Sequence, residues 1–211
     1  MKTDNLIAAL AADNQTEPPM RAVLWPSLGL ALAGAVLVVW VSLGFRGDLL
    51  ASLFNPLSLM RFLLTAGLGV LGVRLALMLA RPEGRSLARL WPVAVPVAVA
   101  LGLLVWAYVT TPAEGRQMAL VGKTMVTCLV MIPLLSVLPV AAILLGLRRG
   151  ATTSPALAGF AAGLGGSGLA AMAYAMHCIE DSPLFYVTWY GLAIGGVTVL
   201  STLIGARVLR W

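Results

Sequence analysis

Charge is scarce in this chain. Lys, Arg, Asp and Glu together make up only 10% of its 211 residues, against about 25% in a usual soluble domain. A globule of this size could not cover itself with polar surface from so few charges, which excludes an ordinary water-soluble fold. Cysteine is nearly missing as well. Cys128 and Cys178 are the only 2, too few for a disulfide framework or a four-cysteine zinc site. His177 is the single histidine. No HExxH, GxSxG or P-loop spacing occurs, so hydrolase and nucleotide-hydrolysing chemistries have no motif to stand on. A CxxC pair is also lacking, which separates the chain from membrane thiol oxidoreductases that relay electrons through such a pair and a quinone. No enzymatic activity is expected.

What the chain has in abundance is apolar length. Hydrophobic residues reach 60% and the mean hydropathy is +0.96. They fall into runs of roughly 18 residues or more, the length that crosses roughly 30 Å of hydrocarbon. Such runs cover 23–45, 62–80, 90–110, 124–147, 156–176 and 184–206. The expected fold is all-α, a polytopic membrane bundle of about six transmembrane helices. Residues 1–22 form a cytoplasmic N-terminal helix and linker, and residues 23–211 form the transmembrane domain. The first 22 residues are not a signal peptide: they are polar, contain Pro18 and Pro19, and precede a run too long for a signal core.

The net charge of +6 is not a nucleic-acid signal. The basic residues sit in short connections between apolar runs, where charge orients helices and meets anionic lipid headgroups. With both termini in the cytoplasm, the inner segments hold Lys2, Arg21, Arg81, Arg85, Arg89, Arg148, Arg149, Arg207 and Arg210, nine in all. The outer ones hold Arg46, Arg61, Arg116 and Lys123, and Arg74 lies within a run. Nine against four favours both ends inside. Arg74 is expected to snorkel toward the cytoplasm. No carboxylate lies inside any run, which argues against a proton- or sodium-coupled transporter. The fifth run is rich in small residues, with Gly159 and Gly163 continued by Gly165, Gly166, Ser167 and Gly168. It is expected to be the helix on which others pack closely.

Two segments carry candidate function. Near the N-terminus, Thr3 or Asp4 can cap a short helix whose face presents Leu6, Ile7 and Leu10. A helix of about ten residues is marginal alone in water and calls for a partner surface. The second segment joins the cysteines. Cys178 lies in the outer loop between the fifth and sixth runs. Cys128 lies five residues past Lys123, roughly 7 Å below the outer surface. Two cysteines at similar depth on one side can meet. Three readings stand: two small buried apolar residues, a disulfide or redox-sensitive thiol pair, or a soft-metal site. The metal site would comprise Cys128, Cys178 and His177, with Glu180 or Asp181 as oxygen ligands. Ser182-Pro183 also fits a helix start, with Glu180 and Asp181 near its positive end.

Several stretches resemble the NrsF-like negative regulators of sigma-F in proteobacteria. They are the start 1–11, Cys128 through Ser136, Leu147 through Ala151 with Pro155, and above all Tyr174-Ala175-Met176-His177-Cys178-Ile179-Glu180-Asp181-Ser182-Pro183, then Trp189-Tyr190 and the terminal Arg210-Trp211. The resemblance implies an anti-sigma factor of the bacterial inner membrane that holds an extracytoplasmic-function (ECF) sigma factor through its N-terminal segment. It implies that Cys128 and Cys178 perceive the signal, with heavy metals such as chromate or cadmium, or oxidative stress, as inducers. Helical periodicity, not the resemblance, then assigns Leu6, Ile7 and Leu10, with Asp4 at the helix start, as the sigma-binding residues. No cofactor is called for, a heavy-metal ion entering only as signal. Membrane lipid and a second copy of the chain are further candidate partners, and direct nucleic-acid contact is not expected. The competing reading is a small transporter or exporter of metal or small solute.

Overall fold

The computed structural model describes Thr3, Ile7 and residues 18–81 and 90–210. These residues are almost wholly helical: α1 Met20–Ser42, α2 Leu49–Ser52, α3 Pro56–Leu79, α4 Trp91–Thr110, α5 Ala113–Val121, α6 Met125–Leu147, α7 Pro155–Ala175 and α8 Pro183–Val208. Six spans are long and apolar enough to cross a bilayer, with α5 and α6 read as one. The protein is a polytopic membrane helix bundle. Its short polar connections need no strand, because a helix satisfies its own backbone in lipid.

Helix α7 is the centre of the bundle, packed against α3, α6 and α8. The reason lies in its glycines. A Cβ placed on Gly72 of α3 would run into the backbone of Gly165 on α7, and one on Gly168 would stand 2.6 Å from the Gly69 nitrogen. On the other side, Gly159 faces the Ser201 carbonyl and Gly205, and Ser201 Oγ donates to the Gly159 carbonyl at 2.8 Å. Backbones touch where side chains are absent, and dispersion with such interhelical bonds replaces the hydrophobic drive that lipid removes. Helix α1 lies on α6 and α7, while α4 leans on α8 and α3 and keeps most of its surface outward. Arg74 of α3 is exposed.

One boundary differs from the sequence expectation in a way that matters. Helix α3 starts at Pro56 rather than near residue 62. Asn55 Oδ1 accepts from the Leu57 nitrogen at 3.0 Å, and Pro56 supplies the first helical φ with no N–H to satisfy. This start draws Ser58 and Arg61 into the helix and turns them inward, where both are fully buried.

Candidate functional site

The site is the loop 176–182 between α7 and α8, together with the three elements that grip it. Helix α1 ends at Gly44, whose φ of 75° is open to glycine. Leu43 and Gly44 both donate to the Val39 carbonyl, closing the helix in a left-handed cap. The Gly44 carbonyl then accepts from His177 Nδ1 at 2.9 Å, which fixes the proton on that nitrogen. Two residues on, the Arg46 nitrogen donates to the Met176 carbonyl at 3.0 Å, and Arg46 Nη1 reaches the Cys178 carbonyl at 3.2 Å. The loop is thus sewn to the end of α1.

The second grip is ionic. Asp181 accepts from Arg46 at 2.9 and 3.1 Å, pairs with Arg61 Nη2 at 3.3 Å and accepts a short hydrogen bond from Ser58. Arg46 also clasps Asp48 at 2.7 and 2.8 Å. Arg61, fully buried, donates through Nη1 to the Glu180 carbonyl at 2.7 Å. Burial opposes ionisation of Asp181, but the Arg46 and Ser58 hydrogen bonds and the Arg61 charge prevail and hold its carboxyl below the usual range. The Arg46 hydrogen bond likewise lowers Asp48. Arg46 is held charged by its bonds to Asp48 and Asp181 against the cost of burial.

The third grip comes from the junction of α5 and α6. Gly122 has a φ of 58°, and a Cβ there would meet Phe185 at 2.7 Å and the Glu180 carboxyl at 2.9 Å. The Lys123 nitrogen donates to Glu180 Oε1 at 2.7 Å, and Trp189 Nε1 donates to the Leu120 carbonyl at 2.7 Å. The next turn brings Thr124 Oγ1 to 3.8 Å from Cys178 Sγ, and Cys128 beneath it.

Cys128 and Cys178 are both free thiols, both 0% exposed, and they interact directly. The Cys128 sulfur lies 3.4 Å from the Tyr174 hydroxyl, and the Tyr174 ring stacks at a tilt on Tyr190. The hydrogen bond from Cys128 is the main influence on Cys178. It and the Arg61 charge lower the pKa of that loop thiol, outweighing the desolvation that would raise it. A thiolate is therefore favoured on Cys178.

The structure brings the two cysteines together. It does not bring the remaining candidate ligands to them: His177 is turned to Gly44, Glu180 to Lys123 and Asp181 to the two arginines. Among the described residues no three His, Cys, Asp or Glu side chains converge closely enough to hold a metal ion. Ser182 caps α8 without a side-chain hydrogen bond, and Pro183 takes its first position. The sequence had shown Arg46 and Arg61 only as outer-side charges. The Asn55-Pro56 helix start was the signal that placed Arg61 inside. Of the proposed sigma-contacting residues, Ile7 is helical and 60% exposed, while Asp4, Leu6 and Leu10 lie outside the described residues.

Comparison with known proteins agrees with this architecture. The family described as negative regulator of sigma F (NrsF) matches residues 10–211. The anti-sigma-F factor NrsF of Caulobacter vibrioides is 32% identical over 217 residues, covering 100% of both chains. A probable anti-sigma-F factor NrsF of Azospira oryzae is 34% identical over 219 residues, again with 100% of each covered. No solved structure matches. A bundle of six apolar spans that matches this family from residue 10 to its last residue belongs to the NrsF family, the negative regulators of sigma F.

Proposed function

We propose that this chain is an anti-sigma factor of the bacterial inner membrane, with both termini in the cytoplasm and the cysteine loop on the periplasmic side. Its N-terminal segment, through Asp4, Leu6, Ile7 and Leu10, folds as a helix in a groove of an ECF sigma factor. The observation that carries the reading is the buried Cys178 thiol, neighboured by Cys128 of α6, in a loop tied to the end of α1. Helix α1 leads back to the sigma-holding segment, so the loop and the cytoplasmic surface share one rigid element.

Two signals suit the pair. A hydroperoxide is attacked by the Cys178 thiolate, which takes one peroxide oxygen as sulfenic acid and releases the other as alcohol or water. Cys128 then displaces water from that sulfenic acid and leaves a disulfide. A soft metal ion instead binds the Cys178 thiolate, displaces the Cys128 proton and bridges the sulfurs, and His177, Glu180 and Asp181 become available as further ligands once the loop leaves its present partners. Either event changes the loop's packing, and a ligand shifts the resting state only by its differential affinity for the two packings.

The test is a transcriptional reporter for the sigma-dependent genes. Cys128→Ser/Cys178→Ser is expected to abolish or lock the response while the protein still inserts, and unchanged induction would remove the sensor role. Leu6→Asp is expected to free sigma and turn the genes on constitutively, and continued repression would remove the helix-face contact. A transporter would keep its flux without residues 1–12, whereas the proposed regulator loses its client.

A further inference from the structure

Helix α4 is the least buried of the six spans. Of its 20 residues only Ala107 is buried, although helices in lipid associate through close packing. Two cavities separate it from α8. The first, of about 510 Å³, lies at the end of the bundle that carries the cysteine loop. Leu104 and Tyr108 of α4, Arg116 and Gln117 of α5, and Leu184 and Thr188 of α8 line it. The second, of about 410 Å³, follows along the same two helices, between Pro96 and Leu101 of α4 and Gly191 and Thr198 of α8. Together they make a lateral groove with almost wholly apolar walls. From Leu184 to Val199 it extends about 22 Å at about 1.5 Å per residue, more than the roughly 15 Å of one leaflet's hydrocarbon.

Glycine keeps the groove open. Gly191 and Gly195 line it, and a Cβ on either would meet nothing within 4 Å. The glycines of α7, by contrast, touch the backbone of a neighbouring helix. A void between helices forfeits dispersion contacts on both walls, and what a bilayer has to fill it is a flexible hydrocarbon chain. The charge at the mouth narrows the choice of lipid. Arg116 stands past the end of α4 at Thr110, at headgroup level. Its Nε donates to the Thr111 carbonyl at 3.0 Å, and its guanidinium lies 4.4 Å from the Tyr108 ring centroid. Both contacts fix the cation against the groove wall. Among the described residues its Nη donors meet no acceptor. Glu114, on the same helix, is not in the lining, and neither is any other carboxylate that could meet a cationic head. A planar fork with free donors matches a phosphate. We propose that the groove between α4 and α8 binds one anionic phospholipid, with its phosphate on Arg116 and an acyl chain laid along Gly191 and Gly195.

The lipid fills the space that helix packing leaves, so it supplies part of the hold of α4 on the bundle. The site requires only that the bundle lies in a membrane. It does not depend on the chain holding a sigma factor or on the cysteines sensing a signal.

The experiment is native mass spectrometry of the full chain in detergent, with phosphatidylglycerol and phosphatidylcholine of identical acyl chains as probes. One phosphatidylglycerol should be retained more firmly than phosphatidylcholine. Arg116→Gln should weaken phosphatidylglycerol binding about five- to tenfold, and phosphatidylcholine binding less. Lys123→Gln removes an exposed cation at the same end that does not line the groove, and should keep the wild-type preference. Gly191→Leu/Gly195→Leu fills the groove and should weaken both lipids, with an unchanged melting temperature of the lipid-free protein as the check on folding and Gly195→Leu alone as the milder variant. A preference that persists in Arg116→Gln would place the anion elsewhere and overturn the site. Its loss in Lys123→Gln would reduce the preference to diffuse surface charge and overturn it as well. So would equal retention of the two lipids by wild type, retention of neither, or lipid binding that survives the leucines. A lipid-free dimer that the leucines dissociate would give the groove to a second copy instead. None of these readouts involves a sigma factor or transcription, so failure here leaves the regulatory reading standing, and the reverse holds.

Discussion

Replacing Asp181 with Asn should release the cysteine loop, and the size of the effect follows from what the arginines lose. Arg61 is completely buried and Asp181 is its one carboxylate partner, at 3.3 Å. After substitution it keeps the Glu180 carbonyl at 2.7 Å, but its charge stays in the dry interior without a carboxylate. Removing one member of a buried pair costs about 3–5 kcal/mol. Because the Asp181 side chain is itself 27% exposed, the lower end applies, about 3 kcal/mol. At about 1.4 kcal/mol per decade, the equilibrium for opening the loop rises roughly hundredfold. Cys178 is closed to solvent at rest, so its alkylation reports that opening. In purified full-length protein, mass spectrometry should find Cys178 labelled by N-ethylmaleimide roughly two decades faster in Asp181→Asn than in wild type, provided closing outruns labelling. Asp48→Asn is the control. Asp48 is largely exposed and hydrogen-bonded to Arg46, so its loss should change the rate far less. Labelling of Asp181→Asn within a factor of about three of wild type would refute the clasp, since even half of the expected cost exceeds that.

Acid should open the same clasp. The folded Asp181 and Asp48 carboxyls lie below their ordinary range, so their contribution is complete above an unfolded value of about 3.9 and is lost as pH falls through the depressed folded values. Below about pH 4 thermal melts should decline through these two groups, and Asp181→Asn should flatten that decline; an unchanged acid limb in the variant would mean that other groups control it. Gly72→Ala should destabilise the bundle by at least about 1–3 kcal/mol through backbone collision with Gly165, whereas Gly102→Ala on α4 has nothing within 4 Å of its new Cβ and should be neutral or mildly stabilising. Equal melting temperatures for the two variants would contradict the tight contact of α3 with α7.

The bundle was legible in the sequence because lipid imposes a simple rule: a helix must be apolar for its full crossing length. That rule gave six runs whose limits differ from the helices by a few residues. The central place of α7 was also legible, because Gly159, Gly163, Gly165, Gly166 and Gly168 have no use on a lipid-facing helix but permit backbone contact. The meeting of Cys128 with Cys178 followed from equal depth on one side. The clasp was hidden for a physical reason. Arg46 and Asp181 are 135 residues apart, and nothing local marks them as partners. Arg61 sat in a stretch polar enough to pass for a loop, although Asn55 and Pro56 spelled a helix start before it.

That clasp also bears on how the chain sits in the membrane. The positive-inside argument counts cations free to meet headgroups, and Arg46 and Arg61 are not free. Both are buried and paired with carboxylates or carbonyls inside the protein. Removing them from the outer tally leaves Arg116 and Lys123, and Arg116 stacks over the Tyr108 ring at 4.4 Å. The two removed cations take on a different task. They are placed where the Asp181 carboxylate and the Cys178 thiolate lie, a set of charges that a lipid-facing role would not require. An impermeant thiol reagent applied to intact spheroplasts of the Asp181→Asn variant tests orientation and clasp together. Cys178 should be labelled from outside, and labelling that begins only after the membrane is permeabilised would reverse the topology.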